Sequence, residues 1–584
     1  MSLDRLGATS GGDTMGGLRP CVMGTRHMIS AGHYLAAQAG FEILEGGGNA
    51  VDAGVAACMV LAVVQSDFVN VAGVAPMMIH MGGSKAVETI SGLGCWPRGA
   101  SAGFFAQHCA GEIPEGILRT VVPAAPAAWV EALLRFGTAS FGDVAAAAVR
   151  FARDGFVMYP LMAEMISENA DKYRRWESSA AVYLPGGRPP AVGDVFRQTD
   201  LGKTLQYLVD AERARAGEGR ESGLRAVTDA FYRGDIADII CHYHAEAGGL
   251  LTRQDMADFR VEVEPALSIE FGGQRVYSCN AWCQGPVLLQ ALRLVATSDI
   301  SRLDHNSAAY IHRLAESIKL SFADRETHYG DPRFVNPPLE RLLSKEYAEA
   351  RSREVDPARA ASTMPPSGIA VTGSAGGSPP RASSGVAAGS LDTSYVCVVD
   401  RFGNAFSATP SDISADTPVI PGTGLCVSSR GSQAWTDPSH PSCVAPGKRP
   451  RLTPNPAMAI VPGRKLMPFG TPGGDVQCQA MLQVFLNTTV FGMNPQQAVE
   501  APRFASYSFP DSFWPHSYFP GRLQIEGRIA AETAASLERL GHDVAVWPDW
   551  TWKAGGVCTI EADLETGVMR GGADPRRPSY ALGW

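Results

Sequence analysis

The stretch that decides the fold is SLDTSYVCVVD, residues 390–400. Thr393 stands where a long segment rich in Gly, Ser, Pro and Ala ends and an apolar run typical of a β-strand begins. If the chain breaks before Thr393, the new terminus carries a hydroxyl nucleophile and, on the same residue, a free α-amine whose ordinary pKa of about 7.7–8.0 lets it act as the base. One cut would supply both groups, so this junction is a candidate site of self-cleavage.

The residues on either side of Thr393 differ in composition. Residues 357–391 contain no acidic and no aromatic side chain, and because they have little apolar surface to bury, they are predicted to form a flexible loop. Downstream, the β-rich runs 395–399 and 405–409 flank the turn-like residues 401–404. This pattern predicts a β-hairpin with Thr393 at its start.

Two long helices are predicted in the first 335 residues. The sequence GGGN at 46–49, followed by AVDAGVAACMVLAVVQ at 50–65, indicates a glycine turn, an asparagine N-cap and a helix that is apolar nearly all round. Between Ile311 and Phe322 the apolar residues recur at helical spacing, and YGDP at 329–332 would end that helix. The first of the two helices is expected at the centre of the molecule.

Length and charge restrict the class of protein. The 584 residues allow one large composite domain or two, and 45% hydrophobic with 19% charged residues can bury a sizeable core. A formal charge of −9 without a dense Lys/Arg run argues against nucleic-acid binding, which depends on clustered cations, and favours a small-molecule partner. The 12 cysteines are too sparse for a disulfide scaffold, so we interpret them as mostly reduced and buried.

The sequence also lacks the patterns of membrane, metal and nucleotide sites. Residues 1–30 have no continuous apolar run of a secretory signal, and the strongest apolar run, 57–64, is far shorter than the roughly 20 residues needed to cross a bilayer. Cys and His residues have no partner pair at a recognised zinc spacing, and the glycine pairs lack nucleotide-binding spacing. We therefore expect a cytoplasmic protein without membrane contact, metal or cofactor.

A second glycine-rich element, GTPGGD at residues 470–475, complements Thr393. An attacked carbonyl becomes an oxyanion, which backbone N–H groups at a glycine turn can stabilise. Each feature has a simpler interpretation when taken alone: Thr393 as a residue of high β-propensity, and Gly473 and Gly474 as an ordinary tight turn after Pro472. Thr393 and the glycine pair, together with an upstream loop that can be cleaved, indicate acyl transfer.

Ten sequence blocks follow one another in the order typical of one enzyme family. They are GGGNAVDAGVAACMVLAVVQ (46–65), RTVVPAAPAAWVEALLRFG (119–137), FARDGF (151–156), GGLLTRQDMADF (248–259), ESIKLSFADRETHYGDPRFV (316–335), DTSYVCVVDRFGNAFS (392–407), GKRPRLTPNPAM (447–458), GTPGGD (470–475), EAPRF (500–504) and GGADPR (571–576). Through these blocks most of the chain resembles the γ-glutamyltransferase family of N-terminal nucleophile hydrolases.

The resemblance implies an α+β protein that folds as a four-layer αββα sandwich. It also implies a precursor that cleaves itself between Asp392 and Thr393. Residues 1–392 would then form the large subunit, ending in the flexible segment 357–391, and residues 393–584 would form the small subunit. The expected partners are these two subunits and a small-molecule amide substrate.

The resemblance assigns catalytic roles to four residues. Thr393 would be the nucleophile. Ser411, eighteen positions later, would hydrogen-bond to it, as a hydroxyl residue at this spacing does in the family. Gly473 and Gly474 would supply the N–H groups that hold the oxyanion.

Other positions depart from the family pattern in the groups that hold the γ-glutamyl head. Gln433 occupies the position of a family Asp, Ile413 that of an Asn, and Leu452 with Thr453 that of a Ser-Ser pair. A neutral amide cannot pair with an ammonium as a carboxylate does. Gln433 and Thr453 are therefore predicted to bind a substrate that lacks the full γ-glutamyl head.

Two arginines are candidates for binding a substrate carboxylate. The family's carboxylate-binding arginine aligns with Ala102, which leaves Arg98 four residues upstream as one candidate. Arg430, within SSRGS, is the other, because a guanidinium fork matches a carboxylate bidentately. For each arginine, a solvated or structural ion pair is the alternative.

These observations predict an autoprocessed threonine amidohydrolase that cleaves a small acyl or carboxylate-bearing amide through an acyl-enzyme. The pattern resembles the acylase-like and oxamate-hydrolase-like branches of the family. Two alternatives remain open. One is a true γ-glutamyltranspeptidase or glutathione hydrolase that recognises its donor by other contacts, and the other is an uncleaved family member without catalytic activity.

Overall fold

The computed structural model describes residues 17–370, 382–383 and 393–584. Asp392, on one side of the predicted cleavage point, lies outside the described residues, as do residues 371–381 and 384–391 of the predicted loop. In the described part, the α-helices are α1 Tyr34–Glu45, α2 Ala50–Val64, α3 Ala102–His108, α4 Ala125–Phe136, α5 Phe141–Asp154, α6 Pro160–Glu168, α7 Ala170–Arg174, α8 Glu177–Tyr183, α9 Thr199–Arg213, α10 Arg220–Tyr232, α11 Asp235–Glu246, α12 Arg253–Asp258, α13 Gly285–Val295, α14 Ala308–His328, α15 Leu339–Leu342, α16 Lys345–Ser352, α17 Gln477–Thr489, α18 Pro495–Glu500 and α19 Ala531–Arg539.

The strands in the described part of the chain are short. They are β1 Val22–Gly24, β2 His27–Ala31, β3 Met77–His80, β4 Val87–Ile90, β5 Phe156–Val157, β6 Val195–Phe196, β7 Val263–Pro265, β8 Leu267–Phe271, β9 Gln274–Ser278, β10 Val396–Asp400, β11 Ala405–Ala408, β12 Val419–Ile420, β13 Leu425–Cys426, β14 Ala457–Val461, β15 Lys465–Gly470, β16 Phe504–Ser506, β17 Arg522–Glu526, β18 Asp543–Trp547, β19 Cys558–Asp563, β20 Met569–Ala573 and β21 Tyr580–Gly583.

Two seven-stranded sheets form the middle of the molecule. Their strand orders are β1-β20-β19-β15-β14-β9-β8 and β21-β2-β10-β11-β3-β4-β7, and every pair is antiparallel. Buried side chains of both sheets, among them Met28, Cys397, Met458 and Ile560, share one apolar cluster. The two sheets therefore stack face to face, and the centre of one sheet lies against the centre of the other.

Helices cover the outer face of each sheet. Successive side chains of a strand point to opposite faces, so Val396 and Val398 pack against the cluster that contains α2, whereas Cys397 and Val399 face the other sheet. On the far side, α13, α14 and α17 pack on the sheet that contains β14 and β15. The order of layers is helix, sheet, sheet, helix, which confirms the predicted αββα sandwich.

The two predicted helices are confirmed as α2 and α14. Every residue of α2 is buried, and the Asn49 side chain accepts hydrogen bonds from the N–H groups of Val51 and Asp52. The N–H of Ala50 donates to Asp400 Oδ2 at 3.0 Å, which ties the start of this central helix to the end of β10. Helix α14 ends at His328, directly before the YGDP sequence.

The predicted hairpin is confirmed as β10 and β11. Asp400 Oδ1 accepts the N–H groups of Phe402 and Asn404, and Gly403 has a φ of 75°, which glycine adopts without strain. The strands pair antiparallel, with Val396 opposite Ala408. Both strands are fully buried between a helical layer and the second sheet.

The described part of the predicted loop is more constrained than its composition indicated. Residues 357–370 form no helix or strand, but several of their backbone groups hydrogen-bond to neighbouring elements. The N–H of Ala360 donates to the Leu540 carbonyl at 2.7 Å, and the N–H of Gly368 donates to Asp324 Oδ1 at 3.0 Å. Composition does not reveal these bonds, because they use main-chain groups that every sequence carries.

The cysteines agree with the interpretation of the sequence. All 12 cysteines are free thiols, and most of them are buried. Among the described residues, we find no helix that combines the length and the apolarity needed to pass through a bilayer.

Candidate active site

Thr393 and Ser411 lie opposite each other at the open end of the β10–β11 hairpin. Val396 pairs with Ala408, and the same register continued toward the start of the hairpin places Thr393 opposite Ser411, where the two form an isolated antiparallel bridge. Both side chains are fully buried, and their hydroxyl oxygens are 2.7 Å apart. The separation of 18 residues noted in the sequence is therefore a consequence of the hairpin register.

The residue after Ser411 has a strained backbone. Asp412 has a φ of 131°, in a region that residues other than glycine rarely adopt. Its N–H donates to the Phe68 carbonyl at 3.0 Å, and its carboxylate accepts the hydroxyls of Ser428 and Ser429 at 2.6 and 2.9 Å. Strain of this kind persists only where surrounding contacts hold it in place. These contacts fix the direction of the chain as it leaves Ser411.

A buried arginine contacts the hydroxyl pair. The short 3₁₀ turn Arg430–Gln433 places the Arg430 Nη2 2.6 Å from Ser411 Oγ, to which it donates a hydrogen bond. The guanidinium also lies 5.4 Å from the centre of the Phe513 ring, and its Nε is 3.6 Å from Asp412 Oδ1. Burial raises the pKa of the Asp412 carboxyl, and the charge of Arg430 offsets part of that effect. The Ser411 hydroxyl thus lies between the positive charge of Arg430 and the hydroxyl of Thr393.

The two glycines of the GTPGGD sequence form the predicted turn. Gly473 and Gly474 have φ values of 128° and 56°, so both positions favour glycine for steric reasons. The turn follows β15, whose last residue, Gly470, approaches the Tyr395 ring so closely that a Cβ at Gly470 would overlap it. This close approach of the two sheets brings the glycine turn towards the start of β10.

Gln433 and Thr453 are paired with each other. Gln433 Nε2 donates to Thr453 Oγ1 at 2.8 Å, and the Thr453 N–H donates to Gln433 Oε1 at 3.3 Å. Gln284 Nε2 then donates to the carbonyls of Thr453 and Gly474, at 3.1 and 2.9 Å. One series of hydrogen bonds therefore joins the turn that carries Arg430 to the glycine turn.

Sequence reasoning missed the buried ionic cluster beneath the glycine turn. Arg325, in α14, forms an ion pair with Asp475 and donates to Gln284 Oε1 at 3.2 Å. Asp475 Oδ2 accepts the N–H of Ser512 at 2.7 Å. Burial alone would raise the pKa of Glu326, but the charges of nearby arginines hold it well below its usual range. The sequence does contain a sign of this ionic cluster, because charged residues such as Arg325 and Glu326 interrupt the apolar positions of α14.

Arg98 lies apart from this cluster. Its guanidinium forms a surface ion pair with Asp258, and both side chains are largely exposed. Its backbone N–H donates to Asp255 Oδ1 at 3.1 Å. The alternative interpretation of Arg98, a solvated ion pair, describes these contacts, whereas the second arginine candidate, Arg430, contacts Ser411 directly.

A cavity of about 410 Å³ is lined by residues close in the chain to Ser411 and by a residue that packs near Arg430. Its wall includes Ile413, which lies two residues beyond Ser411, and Phe513, whose ring lies near the Arg430 guanidinium. Asp67 and Trp552 also line it. The cavity is large enough for a small organic molecule.

One group of side chains has the residue types of a metal site. Donor atoms of His312, Glu316 and His542 lie within 4.8 Å of one another, and all three residues are buried. His312 Nδ1 and His542 Nε2 are 2.9 Å apart and share a hydrogen bond, while the Lys319 ammonium donates to Glu316 Oε1 at 2.8 Å. His312 Nδ1, His542 Nε2 and Glu316 Oε1 are thus engaged by hydrogen bonds, whereas His542 Nδ1 has no partner among the described residues.

Comparisons with known proteins agree with this architecture. The model of the gamma-glutamyltranspeptidase family matches residues 36–584. The chain is 31% identical to a glutathione hydrolase-like YwrD proenzyme of Bacillus subtilis, over 96% of this chain and 99% of that protein. It is also 31% identical to an acylase ACY 1 proenzyme of a Pseudomonas species, over 94% of this chain and 92% of that protein.

A solved structure extends the similarity to the whole fold. A cephalosporin acylase from Bacillus halodurans superposes with a TM-score of 0.83 at 28% identity, over 100% of this chain and 99% of that chain. The αββα layers, the order of the sequence blocks and these matches all indicate the same family. The protein therefore belongs to the gamma-glutamyltranspeptidase family and is an amide-cleaving enzyme with the fold of the N-terminal nucleophile hydrolases.

Proposed function

We propose that the protein is a precursor that cleaves itself between Asp392 and Thr393 and then hydrolyses the amide bond of a small acyl substrate, with Thr393 as nucleophile. The observation that carries this proposal is the 2.7 Å contact between the buried hydroxyls of Thr393 and Ser411. Cleavage would leave residues 1–392 as the large subunit and residues 393–584 as the small subunit. Both subunits would stay in one sandwich, because β2 and β10 pair across the cut.

Self-cleavage uses the same hydroxyl as turnover. Thr393 Oγ1 attacks the carbonyl carbon of Asp392, the peptide C–N bond breaks as the ester C–O bond forms, and the hydroxyl proton passes to the departing nitrogen. This shift frees the α-amine of Thr393, and water then hydrolyses the ester, which releases the Asp392 carboxylate and regenerates the Thr393 hydroxyl. The cut thereby creates the base that the mature enzyme needs.

Turnover repeats the attack on an external amide. Thr393 Oγ1 attacks the substrate carbonyl, and the α-amine of Thr393 takes the hydroxyl proton and passes it to the leaving amine. The N–H groups of Gly473 and Gly474 stabilise the oxyanion, a contribution that typically amounts to about 10²–10³ in rate for each donor. Water then attacks the resulting ester and releases the acid.

Ser411 and Arg430 assist the attack electrostatically. Because Arg430 donates to Ser411 Oγ at 2.6 Å, it polarises the Ser411 hydroxyl and makes it a stronger hydrogen-bond donor. The developing negative charge on Thr393 Oγ1 is stabilised by such a donor at 2.7 Å. Ser411 therefore touches the reacting atom, whereas Arg430 acts through Ser411.

The Gln433–Thr453 pair favours an acyl substrate over a γ-glutamyl donor. Gln433 carries no charge, and both ends of its side-chain amide are engaged by Thr453. It therefore offers no negative charge to the α-ammonium of a γ-glutamyl head, and its carbonyl oxygen already accepts one hydrogen bond. The glutathione hydrolase-like name of one relative favours the alternative, so the two donor classes must be compared directly.

The experiment has two parts. A mass spectrum of the purified protein is expected to show two fragments divided after Asp392, whereas a single uncut chain, or a smaller fragment that begins elsewhere, would overturn the proposal. Hydrolysis of a neutral acyl p-nitroanilide is then compared with that of γ-glutamyl p-nitroanilide. Faster turnover of the acyl compound supports the acyl assignment, and faster turnover of the γ-glutamyl compound establishes the alternative.

A further inference from the structure

We infer that the cavity lined by Ile413, two residues beyond Ser411, binds a protonated amine attached to an aromatic group, and that Asp67 is its anionic anchor. We call it the Asp67 cavity; the residues that define it here are Asp67, Phe68, Ile413, Phe513, Trp514 and Trp552. The inference rests on the proposed function of Thr393, because it identifies the cavity as the subsite that selects the amide substrate. The enzyme would then prefer amides whose remote part carries an arylalkylammonium group.

The first argument is the state of the Asp67 carboxylate. Asp67 lies just after α2 and is only 4% exposed. Neither of its carboxylate oxygens has a hydrogen-bond partner in the described part of the chain. An unpaired buried charge is costly, and proteins keep such groups mainly where a ligand completes them. Because Asp67 also lines the cavity, a cationic ligand in that space would supply the missing partner.

The second argument is the charge of the cavity wall. A further acid, Glu168, lines the same space. Its one lining lysine, Lys172, already binds Glu115 at 2.8 Å and Asp416 at 3.3 Å, so its charge is compensated. The wall therefore favours a cation over an anion or a neutral ligand.

The third argument is the aromatic lining. Phe68, Tyr173, Phe513, Trp514 and Trp552 all contribute to the wall. The faces of aromatic rings attract ammonium groups, by roughly 0.5–2 kcal/mol per contact depending on desolvation. The same rings provide apolar area for an aromatic substituent of the ligand. A carboxylate surrounded by aromatic rings is thus suited to an arylalkylammonium.

The fourth argument is the connection of the cavity to the proposed catalytic groups. The Phe68 carbonyl accepts the N–H of Asp412, the residue after Ser411. On the other side, Ser512, next to Phe513, donates its N–H to Asp475, the residue after Gly474. The cavity wall is therefore hydrogen-bonded to Asp412 and, through Ser512, to Asp475, which are the residues that follow Ser411 and Gly474.

The groups around Asp67 compensate the charge of its carboxylate only in part. Burial raises the pKa of Asp67 to about 7, and the backbone N–H groups of Asp67 and Phe68 and the charge of Arg577 only partly offset this effect. Arg577 forms no ion pair with Asp67 within the described residues. The titratable or charged groups that face Asp67 or share its cavity are Arg577, Tyr159, Tyr173, Tyr183, Glu168, Lys172 and Asp511.

The test measures binding of phenethylammonium by calorimetry, with uncharged 2-phenylethanol as the matched neutral probe. Asp67→Asn keeps the shape of the side chain and is expected to weaken phenethylammonium binding by about tenfold or more while 2-phenylethanol binding changes by less than about threefold. Glu164→Gln, on an exposed part of the neighbouring helix α6, removes the same charge outside the cavity and serves as the control. Equal effects of the two substitutions on phenethylammonium would overturn the inference.

A second measurement on the unsubstituted protein does not depend on how a variant folds. Phenethylammonium affinity is expected to rise between about pH 6 and pH 8 as Asp67 ionises, while 2-phenylethanol affinity stays constant. The tyrosines named above stay neutral in this range, because burial raises the pKa of each of them. An affinity for phenethylammonium that does not change with pH, or no binding at all, overturns the inference.

These outcomes are separable from those of the proposed function. Calorimetry needs no turnover, so binding that depends on Asp67 in a protein without amidase activity would support the cavity and refute the role of Thr393. Conversely, an active amidase whose acyl p-nitroanilide hydrolysis is not competitively inhibited by phenethylammonium would refute the cavity and leave the role of Thr393 intact.

Discussion

Thr393 and Ser411 face each other across the open end of one antiparallel hairpin, with their hydroxyl oxygens 2.7 Å apart. Because strand register sets this contact, a change in hairpin length would separate the two groups. Ser411 in turn accepts a hydrogen bond from the fully buried Arg430. The hydroxyl pair is therefore held by both the sheet and a buried cation.

Thr393→Ala is expected to leave the chain uncut and to abolish amide hydrolysis, because cleavage and turnover use the same hydroxyl. The measurement is a mass spectrum of the variant together with an assay on the acyl p-nitroanilide. Processing that continues in this variant would show that another residue performs the cut.

Ser411→Ala is expected to lower kcat by about 10–100-fold with little change in KM, because a charge-assisted hydrogen bond is worth about 1.5–3 kcal/mol. Ser407→Ala is the matched control: Ser407 is a buried serine of β11, the strand that leads to Ser411, but its hydroxyl contacts Tyr395 at 2.6 Å. A similar loss of kcat in both variants would indicate a general packing effect.

Arg430→Ala is expected to raise KM for a carboxylate-bearing amide more than for a neutral one, because a guanidinium fork binds carboxylates. It should also lower kcat for both substrates, since Arg430 polarises Ser411. Arg98→Ala, on the surface, should change neither constant by more than about twofold. Equal effects of Arg430→Ala on both KM values would remove Arg430 from substrate binding and leave it only its role through Ser411.

Gly474→Ala is expected to reduce kcat by about 10²–10³, because an L-residue would not keep the φ of 56° without strain and the oxyanion donors would move. Gly463→Ala is the control, since Gly463 has a similar φ of 69° in the exposed β14–β15 turn, away from the site. We expect it to cost about 1 kcal/mol of stability without affecting kcat. If both variants keep full kcat, the glycine turn has only a structural role.

Asp67→Asn is expected to stabilise the ligand-free protein above about pH 7, by roughly 1–3 kcal/mol, because it removes an unpaired buried charge. The sign follows from the pKa of Asp67, which is raised to about 7 in the fold from its ordinary value of 3.8. The folded state holds more protons than the unfolded state between these values, so stability falls as pH rises from about 4 to 7. Denaturant unfolding at several pH values should show this slope in the parent protein and a smaller slope in Asp67→Asn.

Much of the architecture could be predicted from the sequence, because local patterns encode it. The apolar run after Asn49 requires a buried helix, and the turn residues between two β-rich runs require a hairpin. The ionic group of Arg325 and Asp475 could not be predicted in the same way, because its members lie 150 residues apart and meet only when α14 packs beneath the glycine turn. The composition of residues 357–370 likewise did not reveal the hydrogen bonds that fix them.

The sequence by itself determined the central helix and the hairpin that begins near Thr393, because apolar periodicity, side-chain alternation and turn chemistry act over short distances along the chain. The layered fold and the contact of Thr393 with Ser411 were implied by the resemblance to a known family. Only the tertiary structure decided which arginine contacts the hydroxyl pair, and that Gln433 is bound to Thr453. It alone also placed Asp67 unpaired in an aromatic cavity. The physical reason is that burial, charge compensation and cavity shape depend on segments distant in sequence, whose meeting no local pattern specifies.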